Sequence, residues 1–282
     1  MSLFEDGLEY LILHLRSNER LGERRFPRGI LDQIRALGQL EAEAPLTEEQ
    51  PSLAAPADPW TVPETSSPDG DLAAGPVAAE TLETLRERVI QCRKCPHLVA
   101  FRHQVVFGTG NPHAELMFVG EAPGAEEDLR GEPFVGRAGE LLTRIIDTMG
   151  FSRSEVYIAN VLKCRPDMPP NAPGNRPPTP EEMQTCLPYL REQIALIRPR
   201  VMVALGGTAM QGLFGTARPM RELRGRWHSF GEIAVMATFH PSYLLRNQAL
   251  SEKRKVWDDM LLVLEYLERP ITDRQRAYFL AK

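Results

Sequence analysis

Cys92-x-x-Cys95, followed far downstream by Cys164 and Cys186 as singles in a Pro-rich stretch, accounts for every cysteine in the chain. No other feature constrains the fold as much. If the four thiols serve one site, the segment before the main body must be tied to the middle of a folded domain. Nothing in the sequence points to secretion, so the thiols are expected to stay reduced and available to a metal. Four soft ligands suit an iron–sulfur cluster or a structural zinc. The competing reading is two pairs of buried, inert cysteines. At 282 residues the chain has ample length for a core, and its apolar runs, such as 201–205, are far too short to span a bilayer. The first residues carry acids and no apolar stretch after basic ones, so the expected location is the cytoplasm, with no membrane contact.

The net charge of −5 conceals a segregation. Residues 1–40 are neutral, residues 41–80 hold nine acidic residues and no Lys or Arg, and residues 81–282 hold 27 basic against 23 acidic residues. A mildly basic body on an acidic tether is compatible with nucleic acid, whereas the whole-chain figure argues against it. Apolar residues at positions 4, 8, 11, 12 and 15, then Ile30, Ile34, Leu37 and Leu40, have helical spacing and predict a short amphipathic helical segment over 1–40. Residues 41–80, with seven Pro and nine Ala, cannot bury enough apolar surface to fold and read as a flexible, disordered linker.

From residue 81 the pattern alternates. Strands are expected at 114–119, 155–161, 201–205 and 233–239, and helices at 138–149, 180–197 and 252–267, with a short helix after Gly206-Gly207. Thr179, Pro180 and Glu182 spell a capping box with proline at the first helical position. The fold class is therefore α/β, a three-layer αβα sandwich on a central, mainly parallel four-stranded sheet spanning 81–268, with a C-terminal tail over 269–282. Ligands then belong at the carboxyl ends of the strands.

Three strand ends carry unusual residues. The first runs into Gly120-Glu121-Ala122-Pro123-Gly124 and then Pro133-Phe134-Val135-Gly136, a rigid turn beside a flat ring. The second ends in Asn160, four residues before Cys164; an immobilised amide there can donate to a carbonyl oxygen and accept from an N–H of a planar ligand. The fourth ends in His240-Pro241, followed by Leu244-Leu245, an apolar pair suited to core packing or to a wedge in stacked bases. Arg218, Arg221, Arg224, Arg226, Arg246, Lys253, Arg254 and Lys255 crowd around it, either as a solvated face or as phosphate contacts.

Taken together, GEAPG at 120–124, PFVGRAG at 133–139, NVLKCRP at 160–166 and HPSYLLR at 240–246, with four interleaved cysteines, resemble the iron–sulfur, family-4 (type-4) branch of the uracil-DNA glycosylases over about residues 81–268. The resemblance implies a base-excision-repair enzyme that flips uracil out of DNA and hydrolyses its glycosidic bond. It further implies a structural 4Fe-4S cluster on Cys92, Cys95, Cys164 and Cys186. Phe134 would stack on uracil, Asn160 would read its edge, and Glu121, Ala122, Pro123 and Gly124 would line the pocket. His240 would stabilise the departing anion, and Leu244 and Leu245 would fill the vacated space, with Arg224, Arg226 and Arg246 on the DNA. The best-known branch of the superfamily has Asp where this chain has Ala122, so Glu121 becomes the candidate for positioning water, with Glu127 and Asp128 behind it. Some relatives trap DNA covalently through a His in an Arg-rich insertion. Here no His lies between His113 and His228, and loop 167–178 offers only Arg176. This argues against a trapping protein, which together with a non-catalytic binding protein is the alternative reading, and a zinc-ribbon protein using Gly206-Gly207 lacks the lysine of a phosphate loop. The chain is expected to act as a monomer, and residues 1–40 have the character of a tether to a replication or repair protein.

Overall fold

A computed structural model describes residues 81–169 and 174–280. The expectations for residues 1–40 and 41–80 lie outside the described residues. The elements run α1 (Leu82–Ile90), α2 (Pro96–Phe101), β1 (Thr109–Gly110), β2 (Leu116–Gly120), α3 (Ala125–Arg130), α4 (Arg137–Met149), β3 (Tyr157–Asn160), α5 (Pro180–Ile197) and β4 (Val201–Leu205). They continue with α6 (Gly207–Phe214), α7 (Met220–Leu223), β5 (Trp227–Phe230), β6 (Ile233–Thr238), α8 (Pro241–Arg246), α9 (Leu250–Tyr266) and α10 (Asp273–Ala277).

The sheet has strand order β1-β3-β2-β4-β6-β5. Its four central strands are parallel, while β1 and β5 add antiparallel edges. The expected four-stranded sheet is therefore six-stranded. The two edges escaped the sequence for physical reasons: β1 is two residues long, and β5 (WHSF) is an edge ribbon on a two-residue loop, Gly231-Glu232, with no fully buried residue. Strands β2, β3 and β4 are buried along their whole length, as a parallel sheet covered on both faces requires.

Alternation along each strand divides the core. Met117, Val119, Met202, Ala204 and Val235 share one cluster with residues of α1, α5 and α6. Leu116, Phe118, Val201, Val203 and Met236 share the other with α4 and α9. This is the αβα sandwich read from sequence. Burying a side chain such as Phe118 contributes about 1.5–3 kcal/mol, and dozens of such side chains hold the three layers together.

Helix α5 starts as its capping box predicts: Thr179 Oγ1 accepts from Glu182 N (3.2 Å) and Glu182 Oε2 from Thr179 N (2.8 Å). In α4, Leu142, Ile146 and Met149 recur at helical spacing on the buried face. Residues 269–280 do not trail off. Trp257 Nε1 donates to the Gln275 carbonyl (2.6 Å) and Arg254 to those of Arg276 and Tyr278, which fastens α10 to α9.

Candidate active site

The carboxyl ends of β2, β3, β4 and β6 open into one cleft of about 550 Å3, bordered by Glu121, Pro123, Phe134, Asn160, Gly206 and His240. Every residue that the sequence placed at a uracil pocket lines it, Ala122 and Gly124 included.

Close approach shapes its floor. A Cβ on Gly120 would fall 2.4 Å from Asn160 Oδ1 and 2.5 Å from the Phe134 ring, so only glycine lets the amide and the ring meet over the end of β2. Phe134 itself sits at φ +55, in the left-handed region that costs a bulky residue about 1–3 kcal/mol. Its carbonyl presses on Gly139, where a Cβ would come within 1.9 Å. Glu127 holds the two glycine-rich loops together. Its Oε2 accepts from Gly124 N (3.1 Å) and its Oε1 from Val135 N and Gly136 N (3.0 Å each). Asp128, expected beside it behind Glu121, instead turns away. Fully buried, it accepts from His103 N and pairs with His103 Nδ1 (2.6 Å), because a buried carboxylate requires its own donors.

Asn160 is 2 % exposed, and its Oδ1 is the one buried side-chain polar atom without a hydrogen-bond partner among the described residues. Leaving such an acceptor unsatisfied costs about 1–3 kcal/mol. His240 caps α8: its Nδ1 accepts from Ser242 N (3.1 Å) and lies 2.9 Å from Ser242 Oγ. A backbone N–H can only donate, so Nδ1 carries no proton and Nε2–H is the free donor. Burial, reinforced by Arg246 and opposed by Glu127, lowers its pKa to about 4. The ring is therefore neutral at physiological pH, 5.5 Å from the Phe134 ring centroid. An unpaired acceptor, a neutral donor and an aromatic face thus meet in one cleft, a set suited to a planar, uncharged heterocycle.

Comparison with known proteins gives this arrangement a family. Residues 107–261 match the uracil DNA glycosylase superfamily. The chain belongs to that superfamily. Relatives named type-4 uracil-DNA glycosylase include a Thermotoga maritima protein, 44 % identical over 194 residues, which spans 67 % of this chain and 96 % of the relative. An Archaeoglobus fulgidus protein is 42 % identical over 184 residues (62 % and 88 %), and one from Saccharolobus solfataricus 40 % identical over 203 residues (68 % and 90 %).

The second constellation of this glycosylase fold is the cysteine set. Cys92 leaves α1, Cys95 caps α2, Cys164 follows β3 and Cys186 lies on α5, yet all four line one small cavity with Arg102 and Tyr189. Arg102 Nη1 donates to Cys164 Sγ (2.7 Å) and Lys163 N to Cys186 Sγ (3.3 Å), donors suited to thiolates. Burial pushes the Cys95 and Cys164 thiols up and Cys186 to about 12, so their deprotonation calls for a bound cation. Four thiols brought to one cavity are a soft ligand set suited to a bound metal group. Among the described residues, His97, Asp167 and Glu182 also bring three ligand atoms within 4.8 Å of one another. The His97–Asp167–Glu182 trio is an ion-pair cluster, since Arg176 bridges both carboxylates. Burial opposes ionisation of Glu182, but its bonds from Arg176, Thr179 N and His97 prevail and hold its pKa at about 2.

The residues expected at DNA are placed unequally. Leu244 and Leu245 point about 100° apart on α8 yet line one groove with Leu141, Ile145, Val256 and Trp257, Leu244 being 5 % exposed and Leu245 partly exposed. Arg224 is committed elsewhere. It donates to both oxygens of fully buried Asp259 (2.6 and 3.2 Å) and lies over Phe239, because a buried carboxylate demands a cation. Arg226 and Arg246 are exposed, and Arg246 borders the cleft.

Sequence reasoning missed Lys163. It is 1 % exposed, and its Nζ donates to the Asn160 carbonyl (2.8 Å) and to Gln193 Oε1 (2.5 Å). Burial lowers its pKa to about 8. A charged residue inside an otherwise apolar strand exit was the available signal.

Proposed function

We propose that this chain is a repair glycosylase that takes uracil out of DNA and hydrolyses its N-glycosidic bond, leaving an abasic site. The observation that carries the reading is the buried, unpaired Asn160 Oδ1 in a cleft shared with a neutral His240 and the face of Phe134. A flipped uracil offers N3–H to Oδ1, O4 to the Asn160 amide N–H and O2 to His240 Nε2–H, and stacks on Phe134. As the C1′–N1 bond breaks, its electron pair leaves with N1, and the charge spreading onto O2 meets a preorganised donor. A water oxygen bonds to C1′, and the proton it releases balances the uracil anion. The Glu121 side chain, which borders the cleft and forms no hydrogen bond or ion pair among the described residues, is our candidate for orienting that water.

Cys92, Cys95, Cys164 and Cys186 would hold a 4Fe-4S cluster, whose contribution is to brace the fold and not to act on the base. Leu245 is placed to enter the vacated stack, with Arg226 and Arg246 on phosphates. No helix of the described residues is long and apolar enough to cross a membrane, and we take the protein to be a cytoplasmic monomer. Residues 1–40 are assigned to contact with a replication or repair protein; deleting residues 1–75 is then expected to leave activity on short oligonucleotides intact. The decisive experiment incubates the protein with a uracil-containing oligonucleotide. Release of free uracil supports the reading, whereas a stable protein–DNA adduct without free base would overturn it in favour of a trapping protein.

A further inference from the structure

Lys163 touches both constellations at once. Its backbone N–H donates to Cys186 Sγ, and its ammonium donates to the carbonyl of Asn160, the residue assigned to the base. Gln193, fully buried, receives a second ammonium hydrogen and is oriented in turn by donating to the Phe107 carbonyl (3.0 Å) and Tyr157 Oη (3.2 Å). Neither acceptor of the ammonium is a carboxylate. Its own peptide N–H meets Cys186, and the next residue in the chain is Cys164. Burying a cation against neutral carbonyls is expensive, and a neutral side chain would fill the same space at less cost.

Charge on either side gives the lysine a purpose. A cluster held by the four thiolates would leave net negative charge behind Asn160 even after its iron is counted, and departure of uracil as an anion builds negative charge in front of it. In a medium of low dielectric the two would repel and raise the barrier. We infer that Lys163 is a positioning and electrostatic residue of the reaction: its buried ammonium fixes the Asn160 peptide and shields the departing base from the thiolates. It does not touch the base, and the inference rests on the uracil reading above.

The test compares wild type, K163M and Q193E on oligonucleotides carrying uracil or 5-fluorouracil. Fluorine withdraws electrons and makes the base a better leaving group, which needs less stabilisation. K163M is expected to lower kcat on uracil by about tenfold or more, with a clearly smaller loss on 5-fluorouracil, little change in KM, and iron content and visible absorption like those of wild type. Q193E keeps the lysine and its bond to Asn160 while supplying a compensating charge. It is expected to show the same leaving-group-dependent loss, and it decides the matter if K163M does not fold. Equal losses on both bases, or no loss in either variant, would overturn the role of Lys163. A wild-type protein that released no uracil would instead overturn the functional reading itself.

Discussion

The cysteine cavity and the base cleft sit at opposite ends of one short stretch, Asn160 to Cys164, yet they are finished in opposite ways. Around the cysteines polar groups find partners: Arg102 and the Lys163 N–H serve sulfurs, and Arg176, Thr179 and His97 all serve Glu182. Across the stretch, Asn160 Oδ1 is left buried and unpaired, and Phe134 is held in a costly backbone conformation. The first region lowers the free energy of the fold. The second stores free energy that a ligand can recover, which marks a binding site inside a well-packed protein.

Asn160→Ala presses hardest on this contrast. It is expected to reduce kcat/KM by about a thousandfold while leaving the melting temperature unchanged or raised, because it deletes an unsatisfied acceptor. A large drop in melting temperature would show that the amide serves the fold and not the ligand.

Cys164→Ser tests the other end. On the proposed 4Fe-4S reading, the variant is expected to bind no iron and to lack visible absorption, with lower stability and roughly tenfold weaker uracil binding through misplacement of Asn160. Normal uracil affinity in a protein without iron would separate the two regions.

A smaller effect distinguishes two arginines that look alike in sequence. Arg224→Ala should cost about 3 kcal/mol of stability by stranding buried Asp259 and leave the salt dependence of DNA binding unchanged. Arg226→Ala should do the reverse, reducing the salt slope by about one unit.

The smallest expected effect concerns pH. The depressed His240 pKa means that its neutral form is favoured by the fold, so its contribution to stability is complete above the unfolded value of about 6.5. That contribution falls as pH drops toward about 4. Activity should share an acid limb near pH 4, and Ser242→Ala, which removes one hydroxyl beside Nδ1, should move that limb upward.

Much of this is legible in the sequence. The four central strands are continuous apolar runs, helix α5 announces its start through Thr179, Pro180 and Glu182, and the cleft residues stand at strand ends where a parallel sheet must place ligands. Local chemistry dictates those features, so local reading finds them. Partner choice among charged and apolar residues was not legible. Whether Arg224 meets phosphate or Asp259, whether Leu244 faces DNA or Trp257, and whether Asp128 backs Glu121 or holds His103 depends on segments distant in the chain. Edge strands β1 and β5 were hidden because their pairing lies in their neighbours. The sequence by itself determined the four central strands and the motif order, since periodicity and turn chemistry are local properties; that the four cysteines line one cavity was settled by the fold. Only the tertiary structure decided that Asn160 keeps an unpaired oxygen and that Lys163 stands behind it, because burial and the absence of a partner are properties of the assembled interior.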